Sequence, residues 1–301
     1  MFGISTCWWE GKEARGDSIP LEALDMGFEK LELDYRITKE ALVQMRPALK
    51  GGAQVFSVHH VFPRPQSFLK GPPVADPVSL SSTDKEERAE AVKLAISTIQ
   101  HAHDLEAKAV VIHLGKVDME DPTEKLEENS KKGLSWAEEG QKYISELREV
   151  RNRKRQKNLD AVLFSLESIN KEAEKRDILL GIENRLHFHE IPDLWEIGFI
   201  LETFSGGNLR YWHDTGHAHV QEKLGILYQR ELLERYGSQM LGVHLHDVKE
   251  LEDHHPPGQG EVDFRALIEH LRAVPIKIFE IKSSATRKEV LESLEFFQDL
   301  L

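Results

Sequence analysis

Short runs of β-branched and apolar residues alternate along the chain with longer stretches whose apolar positions recur at every third or fourth residue. The short runs predict strands over 2–7, 30–35, 54–60, 108–114, 178–184, 209–215, 240–247 and 277–282. The clearest helix is predicted over 82–104, where Thr83 and Asp84 are start signals and Ala91, Leu94, Ala95 and Ile99 keep helical spacing. Further helices are predicted over 263–272 and 286–300. Eight strand-then-helix units in 301 residues fit the size of a (β/α)8 TIM barrel, an α/β fold whose parallel strands are buried on both faces and so read as unbroken apolar runs. A doubly wound open sheet is the alternative. No Pro/Gly/Ser-rich linker divides the chain, and one domain over 1–301 is expected.

Two segments interrupt this rhythm. The stretch 116–176 is much longer than the other connections and carries the basic run Arg151-Asn152-Arg153-Lys154-Arg155-Gln156-Lys157. Such a run can contact nucleic acid. The acids around it (Glu138, Glu139, Glu146, Glu149, Asp160 and Glu167) instead predict a solvated helix face. The second stretch, 60–82, holds Pro63, Pro65, Pro72, Pro73 and Pro77 and is expected to be an ordered loop over one end of the barrel, walling a pocket.

Composition narrows the chemistry. With 39 Lys+Arg against 52 Asp+Glu the formal charge is −13, which excludes a generally basic, phosphate-binding surface. At 40% hydrophobic and 30% charged residues the chain reads as a globular protein. No apolar run is long enough for a membrane helix, and the polar start of the chain does not read as a signal peptide, so no membrane partner and a cytoplasmic location are expected. Cys7, the only cysteine, can form neither an internal disulfide nor a thiolate-rich zinc site. Any metal must therefore be held by nitrogen and oxygen, and the chain has fifteen histidines.

His59, His113, Glu183, Asp214, His244 and Glu280 each fall near the carboxyl end of a predicted strand. In a TIM barrel those ends converge on one face, where active sites are built. Carboxylates and imidazoles crowded together out of water need a compensating cation, so a divalent metal is expected there. Glu183 and Glu280 are acids inside apolar strands, a placement rare without a partner. Asp214-Thr215-Gly216-His217 offers a carboxylate and an imidazole three apart at a strand break, and Glu252 and His254 share a face if their loop is extended. His60, His187, His189, His213, His219, His246, His255 and His270 show no such convergence and are read as neighbours or surface residues.

Taken in order, Glu32, His59, His113, Glu183-Asn184, Asp214-x-x-His217, His244-x-x-Asp247, His254-x-Pro256-x-Gly258-x-Gly260 and Glu280 resemble the xylose isomerase-like TIM barrels, the superfamily that joins sugar and sugar-phosphate isomerases and epimerases with endonuclease IV. The resemblance implies two alternatives. In the epimerase branch one ion, commonly Mn2+, is held by the positions of Glu183, Asp214, His244 and Glu280; the two glutamates are catalytic and move a proton, and His217 touches a substrate oxygen. In the endonuclease branch Zn2+ fills up to three places: His59, His113 and Glu183; Glu183, Asp214, His244 and Glu280; and His217, Glu252 and His254. Glu252 stands where the endonuclease pattern has Asp, Glu250 lies near a substrate-binding Arg of some ketose epimerases, and Gln259 replaces the usual Glu.

Charge tilts the reading toward isomerisation or epimerisation of a small sugar or sugar phosphate. A nuclease needs clustered cations, and the pocket loops offer only Arg64, Lys70, Lys116, Arg185 and Lys282. Glu32, Trp8, Arg185 and Lys282 are the expected substrate contacts, with Trp8 and Trp9 either walling a sugar ring or capping the barrel. The sequence leaves the oligomeric state open, a homo-oligomer included.

Overall fold

The computed structural model describes residues 1–12 and 16–301. Its strands, in chain order, are β1 (Gly3–Ser5), β2 (Lys30–Leu33), β3 (Gln54–His59), β4 (Ala109–Ile112), β5 (Leu179–Glu183), β6 (Leu209–Asp214), β7 (Met240–Leu245), β8 (Asp247–Lys249), β9 (Glu252–His255) and β10 (Ile276–Phe279). All but β8 and β9 form a closed parallel barrel in which β1 pairs with both β2 and β10, and β10 pairs with β7. The α-helices are α1 (Ile19–Asp25), α2 (Lys39–Lys50), α3 (Lys85–Asp104), α4 (Thr123–Lys131), α5 (Glu138–Lys154), α6 (Gln156–Arg176), α7 (Leu194–Thr203), α8 (Thr215–Lys223), α9 (Gln229–Tyr236), α10 (Phe264–Arg272) and α11 (Arg287–Leu300). Among the described residues no helix is long and apolar enough to cross a membrane.

Helix starts follow local chemistry. Asp84 accepts hydrogen bonds from the backbone N–H groups of Glu86 and Glu87 at the head of α3, and Asp193/Glu196 and Thr286/Glu289 form capping boxes at α7 and α11. The doubly wound alternative is ruled out by barrel closure.

Side chains alternate between the two faces of each strand. Outward residues such as Ile4, Leu31, Leu33, Val110, Ile112, Leu180, Ile182 and Val243 pack in the main hydrophobic core. A second, smaller cluster of Ala109, Val111, Trp212, Leu241, Ile276 and Ile278, with Phe56 and Leu179 against it, fills the barrel interior. Trp212 is the bulk of that plug. A Cβ on Gly181 or Gly242 would lie 2.7 or 2.2 Å from its indole, so glycine is what lets the ring fit. Two residues beyond this apolar layer, the same inward alternation reaches His113, Glu183, Asp214 and Glu280.

The predicted seventh strand runs too long: β7 ends at Leu245, and Asp247 opens the β8–β9 hairpin. The Asp247 carboxylate accepts hydrogen bonds from the backbone N–H groups of Val248, Gly258, Gly260 and Val262 at 2.8–2.9 Å, which folds the Pro256-to-Gly260 loop around one side chain. The stretch 116–176 holds α4, α5 and α6. Its basic run is not uniformly solvated, because Arg151 is buried and bound to Glu196 and Asp193.

Candidate metal centre at the barrel mouth

At the carboxyl ends of the strands, Glu32, His59, His113, Glu183, Asp214, His244 and Glu280 are all buried. His244 is the hub. Its Nδ1 lies 2.6 Å from Glu183 Oε1, 2.9 Å from Glu280 Oε2 and 3.6 Å from Asp214 Oδ2, and its Nε2 is 3.1 Å from Glu32 Oε1. Glu32 also accepts a 2.7 Å hydrogen bond from Ser57 Oγ. His113 Nε2 meets the other Glu183 oxygen at 2.9 Å, and Arg185 Nη1 donates to that same oxygen at 2.7 Å. His59 is turned by its Nδ1, 2.8 Å from the His60 carbonyl oxygen, and packs edge-on to His113.

Burial alone would raise these carboxyl pKa values, and here it is outweighed. Hydrogen bonds from His113 and His244 hold Glu183 well below the ordinary carboxylate range, the nearby imidazole charges of His217 and His246 do so for Asp214, and the charge of His244 lowers Glu280. Burial works against a charged His244, yet Glu280 and Glu32 push its pKa well above that of free histidine. Four carboxyl groups, those of Glu32, Glu183, Asp214 and Glu280, thus face the one imidazole of His244. That donor set suits a hard or borderline divalent ion with oxygen and nitrogen ligands. Ligand atoms of Glu183, Asp214, His244 and Glu280 all lie within 4.8 Å of one another, as do those of His59, His113 and Glu183.

A third group gathers beside this one. His217 Nδ1 lies 3.2 Å from the Asn184 carbonyl oxygen and His254 Nδ1 lies 3.0 Å from that of Glu280, an anchoring that leaves both Nε2 atoms free to bind a ligand. Both Nε2 atoms face Asp253 Oδ2, at 3.6 and 3.7 Å. His246 completes the set of three imidazoles. Its own nitrogens are committed, Nε2 to the Asp214 carboxylate at 2.9 Å and Nδ1 as acceptor from the His254 N–H at 2.9 Å.

Glu252 is not brought here. Its side chain, 67% exposed, pairs with Lys282 Nζ at 2.6 Å and His255 Nε2 at 3.2 Å. The expectation of one shared face assumed an extended segment, whereas His254 has a left-handed φ of 56° that breaks the alternation and puts Asp253 beside it instead. Lys282 faces the same outer pair, with His255 Nε2 at 2.8 Å. Trp8 is buried, donates its indole N–H to the Ala285 carbonyl at 3.0 Å and meets Trp9 edge-on.

Two side chains at the mouth gave no signal in the sequence. Asp76, from the proline-rich loop, places both carboxylate oxygens 3.1 Å from His113 Nδ1 and helps push that imidazole up to about 9 against the effects of burial and Arg185. Glu190 binds Arg185 Nη2 at 3.0 Å. His246, read as a bystander, is fully buried against Asp214.

No curated protein sequence matches the chain. Among solved structures it is similar to a D-tagatose 3-epimerase-like protein (18% identity, TM-score 0.70, covering 99% of this chain and 96% of that one). It is also similar to 3-keto-D-glucoside 4-epimerase from E. coli in its apo form (15%, 0.71, 99% and 98%), and to D-psicose 3-epimerase from Clostridium cellulolyticum H10 with D-tagatose (15%, 0.67, 100% and 99%). At these identities the likeness is one of fold. Residues 21–300 match the model of the xylose isomerase-like TIM barrel, and the chain belongs to that family.

Proposed function

We propose that the protein is a metal-dependent isomerase or epimerase of a small, uncharged sugar. The observation that carries this reading is the buried set Glu183, Asp214, His244 and Glu280, gathered within 4.8 Å at the barrel mouth. These four residues would hold one divalent ion, Mn2+ or Zn2+, which when bound supplies the electrophile that polarises a sugar carbonyl and acidifies the neighbouring C–H. Glu183 and Glu280 reach His244 from strands on either side of β7 and are held in the carboxylate form. In this reading one carboxylate takes the carbon-bound proton on an Oε atom while the other, protonated beforehand from solvent, delivers its proton to the opposite face; the first then returns its proton to solvent, so a stereocentre inverts without net gain or loss of hydrogen.

The cations around the mouth support an uncharged substrate. Arg185 is bound to Glu183 and Glu190, Arg36 to Asp34 and Glu10 at 3.0 and 2.7 Å, and Lys282 to Glu252. A sugar phosphate would have to compete for each of them. The bound D-tagatose named for the psicose epimerase is likewise an uncharged ketose.

A metal-dependent phosphodiesterase is the second reading, favoured by the additional donors His59, His113, His217, His254 and Asp253. Elemental analysis of metal per chain, together with proton NMR of D-tagatose and D-fructose incubated with the protein in D2O, separates the two. One ion per chain and loss of a carbon-bound ketose proton signal are expected. Two or three ions, one of them lost in His254→Ala, with no exchange into any ketose, would transfer the assignment to phosphodiester hydrolysis.

A further inference from the structure

Outside the barrel mouth, a cavity of about 450 Å³ opens between α5, the loop after β5 and α9, and shares none of the metal-ligating residues of the mouth. Its size is that of a small-molecule site. Arg148 and Arg151 fall on one face of α5, Arg155 follows at the junction with α6, and Arg235 of α9 lines the same cavity. Part of the basic run, Arg151 and Arg155, therefore lines a concave pocket, while Arg153, Lys154 and Lys157 do not.

What holds these arginines distinguishes them. Arg151 is neutralised by Glu196 and Asp193. Arg148 is anchored by a neutral group, donating from Nη2 to the Ile226 carbonyl. Arg155 lies over the Trp195 ring, its guanidinium carbon 4.2 Å from the centre, and the carboxylate beside it, Asp193 at 3.8 Å, is already taken by Arg151 at 2.6 Å. Among the described residues no carboxylate pairs with Arg148 or Arg235. Of the acids lining the cavity, Glu190 is committed to Arg185 and Asp193 to Arg151, which leaves Glu231 as the single opposing charge. Phe188, Pro192 and Leu227 add apolar wall. Positive charge is thus fixed in place by a carbonyl and an aromatic face, neither of which cancels it, beside an apolar surface. In a chain of net charge −13 that arrangement is local and concave.

We propose that this pocket binds a small organic anion, its phosphate or carboxylate lying among Arg148, Arg155 and Arg235 and its apolar body against Phe188 and Leu227. Guanidinium groups suit such an anion because their planar donors match its oxygens.

Titration calorimetry with phenyl phosphate, with inorganic phosphate as the comparison, tests this on the full chain as purified. Phenyl phosphate should bind more tightly than inorganic phosphate. The exposed double variant Arg148→Gln, Arg235→Gln, checked for native circular dichroism, should weaken it by about tenfold or more, the loss of hydrogen bonds to a charged group. Glu183→Gln, altered only at the barrel mouth, should bind as the parent does, and Glu231→Gln should bind more tightly. No heat at millimolar phenyl phosphate, or binding that survives the double arginine change but falls in Glu183→Gln, would overturn the proposal. Equal affinity for inorganic phosphate would overturn the assignment of an apolar ligand body.

Discussion

The molecule holds two buried charge clusters, and they are built on opposite principles. Under α5, every donor of Arg151 has an acceptor: Nε meets the Phe188 carbonyl, Nη1 meets Asp193 and Glu196, and Nη2 meets Glu196 and the Glu190 carbonyl. That cluster is closed by its own chain. At the barrel mouth, Glu32, Glu183, Asp214 and Glu280 crowd round His244 with acid to spare. A buried cluster that satisfies itself holds a loop to a helix, whereas one with surplus charge of one sign is a place for something else to bind.

The contrast can be broken from either side. Glu280→Gln should cost turnover most, about 10²- to 10⁴-fold in the rate of ketose proton exchange, while leaving the melting temperature near that of the parent, because it removes part of a surplus. Arg151→Ala should do the reverse: stability falls by about 3–5 kcal/mol in urea unfolding, since buried Glu196 loses its partner, and the residual folded protein keeps its metal content. Adding Mn2+ or Zn2+ at about a hundred times its dissociation constant should stabilise the parent by about 2.7 kcal/mol in the same unfolding assay and should do much less for Glu183→Gln. Asp76→Asn should weaken metal binding by about tenfold or less in a competition titration with a chelator, because Asp76 aims His113, which in turn holds the ligand Glu183.

Much of the mouth is legible in the sequence because a barrel strand obeys a period of two. Once Ala109 and Val111, Leu179 and Gly181, or Ile276 and Ile278 are placed inward, His113, Glu183 and Glu280 must follow. The rule fails where the backbone leaves the strand. Asp76 comes from a loop with no periodicity, so nothing in its surroundings points to His113, 37 residues away. Asp253 exchanges places with Glu252 because a left-handed residue follows it. Arg151 is indistinguishable in sequence from its exposed neighbours, since the carboxylates that bury it arrive from 42 and 45 residues downstream.

Trp212, wedged between two glycine strands with its ring edge-on to His244 at 5.1 Å, gives the barrel a dead end. Under the proposed reaction, a proton taken from carbon would leave for solvent at the strand ends, where Asp76 of the proline-rich loop meets His113, and not through the indole floor.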